Sequence, residues 1–466
     1  MYMSRLQRPI ERPWRFLNQG MGREEKVEKK DRERLRYDVV VAGSGFAGLA
    51  AALEALRTGA SVVILGGRNP FASNSALSSG GIILADTVLQ KNNGISDSAD
   101  LLAQDILRAN RHSISAEVVE AAAHEATSIY DWLISMGIQL PILRPLANHT
   151  VSRVHRGYFG GAHILRLLLQ ETKRRGADFQ LGTLARHLIM DDEKVEGIET
   201  ASQEGTAEIR SLKGVVLAAG GFAQNRQMVE GFLPGFSNLL CAGGSGSTGD
   251  GIRMGLEVGA KTSNMDSAVL TPLGSVRRGS AIPGIFEAML QGAVLVNKRG
   301  QRFVDEKKGL FSDTAFPTIL QPDGIALLVV NEAMKKRIAK LERYMDTYLR
   351  KGLFFFGKTP DELALRTGLD RSDFNFTMTG CGFSGALYGT WVKPALVMSH
   401  GGLVVNAATQ VIRTDGRPIS RLFAAGDNTA GLGGGISEDR PFPGYIGTGC
   451  LWALASGRIA GRNAAS

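Results

Sequence analysis

Short, continuous apolar runs that end in glycine recur along the chain. The first follows Tyr37 and closes on Gly43, a helix-like stretch comes next, and a second apolar run ends at Leu65. Runs of the same form occupy residues 214–221 and 422–427. Continuous apolar strands that alternate with helical stretches are typical of a parallel sheet covered on both faces. The pattern therefore predicts an α/β protein.

Two segments depart from this pattern. Residues 183–213 alternate and turn, which predicts a β-meander. Between 266 and 390 the chain has phenylalanine-rich and charged stretches with separate helices. We predict a Rossmann-like nucleotide-binding domain in two parts, 37–265 and 391–466, interrupted by an inserted α+β capping domain, 266–390, that carries the substrate side of the site.

More than half of the net charge of +9 lies at the start of the chain. Residues 1–36 hold eleven Lys and Arg against six Asp and Glu, in a polar segment without periodicity. We expect a flexible basic tail, with Met21 as an alternative initiator, and the segment lacks the apolar core of a signal peptide. Because the remaining charge is modest, no nucleic-acid partner is expected.

The apolar runs and the cysteines indicate the expected compartment and argue against some cofactors. Runs such as residues 325–330 are far shorter than the roughly 18 residues of a membrane span, so no integral membrane segment is expected. Cys241, Cys381 and Cys450 lie far apart and form no CxxC, which argues against iron–sulfur or c-type haem ligation. We expect a cytoplasmic protein that exchanges electrons with an external acceptor or donor.

The first turn carries a dinucleotide-binding pattern. Gly43, Gly45 and Gly48 form GxGxxG between a predicted strand and a predicted helix, where glycines allow a tight turn and a pyrophosphate sits on the helix N-terminus. An acid normally ends the second strand and binds the adenosine ribose, but Gly66 stands there. A backbone amide, Arg68 or Asn69 are the alternatives for that contact.

The end of the chain favours FAD over a nicotinamide dinucleotide. The run 421–427 closes on Gly426 and Asp427, and a helix-like stretch follows at 453–465. In a two-part flavin domain, such a returning strand brings an acid to the ribityl hydroxyls. The N-terminus of the following helix would stabilise negative charge on the reduced flavin.

Ordered motifs cover nearly all of residues 37–466. They are GSGFAG at 43–48, NSALSSGG at 74–81, TGDG at 248–251, NKRGQRFVDE at 297–306, TPDELA at 359–364 and GRIAG at 457–461. In these motifs the chain resembles the fumarate reductase/succinate dehydrogenase flavoprotein family, which includes 3-ketosteroid and tricarballylate dehydrogenases. The resemblance implies hydride exchange between flavin N5 and a carbon–carbon bond activated by a carbonyl or carboxylate.

The resemblance also implies which residues contact the cofactor. They are Gly43, Gly45, Phe46, Ala47, Gly48, Asn74, Ser75, Ser79, Gly80, Gly81, Ala219, Gly220, Asp250, Gly426 and Asp427. Members that attach FAD covalently carry a histidine six residues before the Gly-Gly pair. Because Asn74 occupies that position here, non-covalent FAD is expected.

Two positions argue against a fumarate reductase. The proton-donating arginine of that branch falls at Leu310, and its substrate histidine falls at Met398 or Val397. The ketosteroid branch binds a ketone oxygen with a Tyr hydroxyl and a glycine N–H, and Tyr445 and Gly449 resemble that element. Counting back from the GRIAG motif instead places Gly444 at the key position.

The sequence contains several candidates for the residue that transfers the proton. His400 precedes a Gly-Gly turn expected near the flavin and has a reference pKa suited to proton transfer. Further candidates are Tyr158, Tyr388, Lys307 and Lys308.

The expected partner is a small-molecule substrate with a carbonyl or carboxylate. A ketosteroid-like ligand is favoured over a carboxylic acid of the fumarate or tricarballylate type. A third alternative is a flavin-containing electron-transfer or binding subunit. His155 and Arg156 are expected to contact cofactor or substrate, and Arg302 and Glu306 to brace the cap.

Overall fold

A computed structural model describes residues 35–111, 113–146, 149–277, 281–282, 284–306, 312–433 and 444–466. The predicted basic tail lies outside the described residues except for its last two positions, Leu35 and Arg36, which begin the first strand. Lys307, Lys308 and Leu310 also lie outside them.

The described strands and helices have the following bounds. The strands are β1 (Leu35–Ala42), β2 (Val62–Gly66), β3 (Ile82–Ile83), β4 (Ile142–Arg144), β5 (Val154–Arg156), β6 (Asp178–Leu181), β7 (Leu184–Asp191), β8 (Lys194–Ser202), β9 (Gly205–Leu217), β10 (Leu240–Cys241), β11 (Thr262–Ser263), β12 (Ala268–Ser275), β13 (Val294–Val296), β14 (Ala326–Asn331), β15 (Phe355–Gly357), β16 (Leu387–Ser399), β17 (Gly402–Leu403), β18 (Gln410–Ile412) and β19 (Pro418–Ala424). The helices are α1 (Phe46–Arg57), α2 (Asn74–Leu77), α3 (Val88–Asn92), α4 (Ala99–Ala109), α5 (Ala116–Ser135), α6 (Gly161–Arg174), α7 (Arg226–Phe232), α8 (Asp250–Glu257), α9 (Ile285–Leu290), α10 (Ser312–Ile319), α11 (Glu332–Arg337), α12 (Ala339–Arg350), α13 (Pro360–Thr367), α14 (Arg371–Gly380) and α15 (Thr448–Ala464).

The larger sheet has the strand order β18-β19-β8-β9-β1-β2-β6, and β7 pairs with β8. Its centre is parallel, with Val41 of β1 facing Ile64 of β2 on one side and Val216 of β9 on the other. The apolar residues of β1 are at most 1% exposed from Val39 to Ala42, because the strand is covered on both faces. Antiparallel pairing of β7, β8 and β9 confirms the predicted β-meander.

Helix α15 packs closely on α1. A Cβ atom added at Gly457 would lie 2.3 Å from the Ala47 carbonyl oxygen, and one added at Gly461 would lie 2.1 Å from that of Ala51. The glycines of the GRIAG motif therefore allow the two backbones to approach each other. Beside this contact, buried Glu54 accepts a hydrogen bond from Arg458 at 2.9 Å.

A second sheet runs β10-β16-β14-β13, with β12 and β15 also paired to β16. It contributes to a second hydrophobic core, which includes Leu327, Val329 and Phe374. Among the described residues, this core is separate from the one around β1. The long strand β16 continues past residue 390, where the predicted cap ends. The architecture is the expected one, a Rossmann-like domain with a meander and an α+β region, while the domain boundaries remain predictions.

In the described part of the chain, every helix is too short or too polar to cross a membrane.

Candidate active site

A cavity of about 1550 Å³ lies between the two sheets. It exceeds the roughly 300–1,000 Å³ of pockets for small ligands, so it has room for an extended cofactor together with a substrate. One side, the glycine wall, is formed by residues 43–47, 66–69, 72–75, 218–220 and 425–427. The other side, the apolar wall, is formed by Val269, Thr271, Ile282, Phe286, Glu287, Val397 and Met398.

The turn between β1 and α1 has no space for side chains at its glycines. Gly43 has a φ of +132°, and an added Cβ would lie 2.0 Å from the Ala218 carbonyl oxygen. At Gly48 an added Cβ would lie 1.9 Å from the Gly43 carbonyl oxygen. Gly43, Gly45, Phe46 and Ala47 line the cavity as predicted, whereas Gly48 does not and instead lets α1 pack against the turn.

The segment around α2 supports this turn. Ser75 accepts a hydrogen bond at its hydroxyl from the Phe46 backbone N–H, at 3.0 Å. Asn74, Ser75, Ser79 and Gly81 line the cavity as predicted. Gly80 does not: its φ is +74°, and an added Cβ would lie 2.9 Å from the backbone of Gly160, so its role is to let the chain pass α6.

The end of β9 is held by a residue that the sequence did not reveal. The side chain of buried Asn428 accepts a hydrogen bond from the Ala219 N–H at 2.6 Å and donates one to the Gly220 carbonyl at 2.8 Å. Ala219, Gly220 and Asp250 line the cavity as predicted. The sequence signal for Asn428 would have been its place directly after the Gly-Asp pair that ends β19.

Asp427 presents a carboxyl group to the cavity. Desolvation raises the pKa of this group, and a hydrogen bond from the Asn74 side-chain amide at 3.1 Å lowers it in part. The Asn74 carbonyl oxygen in turn accepts the Gly244 N–H at 2.7 Å. Gly426 lies beside Asp427 in the cavity lining with a φ of +62°. The position predicted for a ribityl contact is thus a half-buried acid that a polar ligand could reach.

The N-terminus of α15 also opens into the cavity, where Thr448, Gly449 and Cys450 form part of the lining. The first N–H groups of a helix have no partner within it, and the helix dipole favours negative charge there. Burial raises the pKa of the Cys450 thiol to about 11, which keeps it neutral. This helix end suits a ligand on which negative charge develops.

Tyr445 is placed differently from its predicted role. It is fully buried, is absent from the cavity lining, and accepts a hydrogen bond at its hydroxyl from Arg153 at 2.9 Å. The Arg153 guanidinium also pairs with the buried carboxylates of Asp97 and Asp105. The His149 ring stacks on Tyr445 at 4.3 Å. The geometry therefore gives Tyr445 a bracing position behind the α15 N-terminus, and ketone binding by its hydroxyl gains no support.

The candidates for proton transfer differ in whether they line the cavity. His400 follows β16, is 8% exposed and lines the cavity, as does the exposed Tyr158. Tyr388 lies outside the lining: its hydroxyl donates to Glu332 at 2.7 Å, and burial together with that contact raises its pKa to about 12.

The neighbouring histidine and arginine also differ from each other. His155 is buried away from the cavity, between the Thr87 hydroxyl at 2.7 Å and the Arg153 carbonyl at 2.8 Å. Arg156 lines the cavity, and its Nε has no hydrogen-bond partner among the described residues. Arg302 pairs with Glu306, which accepts the Leu295 N–H, in agreement with a bracing role.

Two features of the apolar wall were not foreseen. Thr271 on β12 is 3% exposed, and its hydroxyl has no hydrogen-bond partner within the described residues. Glu287 on α9 pairs with Lys340 on α12 at 3.1 Å, at the edge of the cavity. No local signal marks these residues, because the wall is assembled from strands and helices distant in sequence.

The glycine wall fits FAD. Two helix N-termini and glycines such as Gly43 and Gly66, at which an added Cβ would meet a neighbouring atom within 3 Å, line a long groove for a dinucleotide, and Asp427 and Asn74 add polar groups along it. Consistent with this, a family model described as an FAD binding domain matches residues 38–438. The chain is therefore an FAD-binding flavoprotein.

Comparison with known proteins identifies the family to which the chain belongs. The chain is 28% identical over 425 residues to an NADH:fumarate oxidoreductase of Klebsiella pneumoniae, covering 86% of this chain and 45% of that protein. An open flavocytochrome c3 fumarate reductase superposes with a TM-score of 0.77 at 27% identity, covering 92% of this chain and 78% of the other. The chain belongs to the fumarate reductase/succinate dehydrogenase flavoprotein family and is an FAD-dependent oxidoreductase.

The fold is shared more widely. A 3-ketosteroid Δ4-(5α)-dehydrogenase from Rhodococcus jostii RHA1 gives a TM-score of 0.71 at 24% identity, covering 94% of this chain and 98% of the other. The chain spans less than half of the length of the Klebsiella relative.

Proposed function

We propose that this chain exchanges hydride between FAD and the α,β carbon–carbon bond of a mainly apolar substrate that carries a carbonyl group. The bound FAD supplies the hydride chemistry. The observation that carries the proposal is the buried hydroxyl of Thr271, which has no hydrogen-bond partner among the described residues and lies in a wall that is otherwise largely hydrophobic. A single hydroxyl suits one carbonyl oxygen, since a buried polar group without a partner is costly unless a ligand satisfies it.

The apolar wall argues against a small dicarboxylate. Met398 lines the cavity at a position where fumarate reductases are expected to carry a histidine. Val269, Val397 and Phe286 line the same cavity with hydrocarbon, and a second carboxylate beside them would be desolvated. Lys340 is already paired with Glu287. A ketosteroid-like or similarly apolar carbonyl compound fits this lining better than fumarate.

Charge on the substrate oxygen would be stabilised by two elements of the chain. The Thr271 hydroxyl can donate to the carbonyl oxygen from the apolar wall. The N–H of Gly449, in the first turn of α15, can donate from the other side of the cavity. Donors of this kind are each worth roughly 3 kcal/mol when they act on a developing oxyanion.

His400 is the group we propose for proton exchange. It is a cavity-lining histidine at the end of β16, close to both walls, and an imidazole transfers protons efficiently near neutral pH. Its position after a buried strand also fixes its backbone, whose N–H donates to the Ser267 carbonyl at 2.8 Å.

FAD is proposed to be held without a covalent bond. Asn74 uses its side chain in hydrogen bonds to Asp427 and to the Gly244 N–H, and an amide is not a nucleophile toward the flavin. Electrons would pass to or from an external carrier. Because no covalent bond would hold the flavin, denaturing the protein with acid should release it into the supernatant.

The decisive experiment is anaerobic titration of the FAD-loaded protein with two substrate classes, saturated 3-ketosteroids and succinate-type acids. Bleaching of the oxidised flavin band by a ketosteroid would support the proposal. The reverse reaction is tested by adding an enone or fumarate to the reduced protein and following reoxidation. A response to the dicarboxylates alone, in either direction, would refute the assignment to an apolar carbonyl substrate.

A further inference from the structure

The end of β2 lacks the acid that usually binds the adenosine ribose. Gly66 occupies the position, and a Cβ atom added there would lie 2.8 Å from the Ser44 hydroxyl oxygen. The space in which an acidic side chain would begin is thus already taken by buried Ser44. Ser44 and Gly66 both line the cavity, so the ribose of a bound dinucleotide would lie beside them. Because no acid is present at Gly66, another group of this chain must bind the ribose.

Arg68 lies at this place with its charged group available. Its side chain runs along Gly182, where an added Cβ would lie 3.1 Å from the Arg68 Cγ and 3.5 Å from Nε. Gly182 is joined to the end of β2 because its N–H donates to the Gly66 carbonyl at 2.7 Å. Because Gly182 has no side chain, the stem of Arg68 can pack on it beside Gly66, and Arg68 is one of the residues that line the cavity.

The neighbouring alternative is already engaged. Asn69 accepts the Phe71 N–H at 3.0 Å with its side-chain oxygen, which caps the short turn that follows β2. That hydrogen bond directs its side chain along its own turn. Arg68, in contrast, makes no hydrogen bond or ion pair with any residue in the described ranges, so its donors are open to a ligand.

We propose that Arg68 binds the adenosine ribose of FAD, donating hydrogen bonds to the ribose hydroxyl oxygens. The polarity of the contact is then reversed. An acid accepts hydrogen bonds from the hydroxyls, whereas a guanidinium can only donate to them. Ser44, whose hydroxyl lies beside Gly66, can accept from the ribose in return. The proposal concerns the cofactor alone and stands independently of the substrate proposed above.

The first test measures cofactor preference in the holoenzyme. Purified FAD-loaded protein is equilibrated with increasing FMN, which lacks the adenosine part, and the FAD released is quantified. Arg68→Ala should lower the preference for FAD over FMN by about ten- to a hundredfold, the range of a hydrogen bond to a charged group. Arg68→Lys keeps the charge but loses the planar fork, so its preference for FAD should lie between those of the wild type and Arg68→Ala.

The control is Arg174→Ala, at an exposed arginine on α6 that pairs with Glu171 outside the cavity, and it should keep the wild-type preference. The rate of FAD release after dilution gives a second readout, and it should rise in Arg68→Ala alone. An unchanged FAD-to-FMN preference in Arg68→Ala would overturn the proposal, even if FAD release became faster, because a general weakening of the turn affects both flavins.

A second competitor separates the ribose from the adenine. A flavin dinucleotide whose adenosine lacks both ribose hydroxyls is exchanged against FAD in the same way. The wild type should prefer FAD, and Arg68→Ala should lose most of that preference. Equal preferences in the two proteins would show that Arg68 does not contact the hydroxyls, and the proposal would fail.

Discussion

The two walls of the cavity are built on different physical principles. The glycine wall is built from closely packed backbone: at Gly43 an added Cβ would lie 2.0 Å from the Ala218 carbonyl oxygen, so no side chain can be added there without moving the main chain. The apolar wall offers side chains from β12, β16 and α9, and its buried Thr271 hydroxyl has no hydrogen-bond partner in the part of the chain that the structure describes. A backbone wall leaves little room for change, whereas a side-chain wall can alter its ligand by substitution without altering the fold.

This difference explains why the family resemblance predicts the cofactor and not the substrate. The same turn can bind the same dinucleotide in enzymes that act on dissimilar molecules, since function is set by the residues placed around a shared scaffold. Met398 illustrates the point, because it occupies a position where a fumarate reductase is expected to use a histidine.

The largest effect is expected directly behind the glycine wall, from Gly48→Ala in α1. The new methyl group would meet the Gly43 carbonyl oxygen at 1.9 Å, and backbone cannot move aside as a side chain can. Helix α1 would have to shift away from the turn, at a cost of about 3 kcal/mol or more in the free energy of unfolding. The purified variant should retain almost no FAD, as measured by its flavin-to-protein absorbance ratio.

Gly231→Ala is the matched control for this prediction. It makes the same substitution within a helix, α7, where an added Cβ has nothing within 4 Å. Its stability should equal or slightly exceed that of the wild type, because alanine favours helix more than glycine does. If Gly48→Ala bound FAD as well as this control, the contrast between the walls would be wrong.

The same contrast sets what the sequence could predict. Gly43, Gly45 and Gly48 are recognisable because the turn is local, lying within six residues between an apolar strand and a helix. Thr271 is not, because β12 meets β16 more than a hundred residues later and its register shifts between Val269 and Leu270 and again after Thr271. No local periodicity determines which side chains such a pairing turns toward the cavity.

Tyr445 shows the same limit from the other direction. Its spacing to Gly449 suggested a ligand-binding hydroxyl, but the partner of that hydroxyl is Arg153, which lies 292 residues earlier in the chain. Asp97 and Asp105, which hold the guanidinium, are equally remote from Tyr445 in sequence. A buried network assembled over such separations depends on the completed fold, and the residue type alone does not distinguish it from a site.

A smaller and more specific effect is expected in the apolar wall, from Thr271→Val. Valine has nearly the same shape but lacks the buried hydroxyl, for which the described residues supply no hydrogen-bond partner, so the free energy of unfolding should rise by about 1 kcal/mol. Binding of a carbonyl substrate should weaken by roughly tenfold, because one donor is lost. Thermal or denaturant unfolding gives the first quantity, and spectral titration of the bound flavin gives the second.

The two readouts with opposite sign distinguish a ligand-binding hydroxyl from a structural one. Thr172→Val is the matched control, since the buried Thr172 hydroxyl donates to the Leu168 carbonyl at 2.7 Å within α6. That variant should lose stability and leave substrate binding unchanged. A Thr271→Val protein that lost stability instead would place an internal partner on its hydroxyl and remove the main support for the proposed substrate class.

The last effect concerns the support behind the glycine wall and is expected from acid. His155 on β5 pairs with Ile82 of β3, which directly follows the glycines at 80 and 81. Desolvation lowers the pKa of His155 to about 4, although its hydrogen bond to the Arg153 carbonyl acts in the opposite direction. That carbonyl requires a proton on Nδ1, so in the neutral ring Nε2 accepts from the Thr87 hydroxyl.

Between this pKa and the ordinary value of about 6.5, the unfolded chain binds a proton at His155 that the folded chain does not. The free energy of unfolding should therefore fall as the pH drops through this window, with a contribution from His155 of at most about 1.4 kcal/mol per pH unit. Replacing His155 with Gln should remove that part of the slope, as measured by denaturant unfolding at several pH values. The same replacement at the exposed His124 should keep the wild-type slope. If the His155→Gln slope also matched the wild type, the histidine would already be charged in the folded protein, and acid would reach the glycine wall by another route.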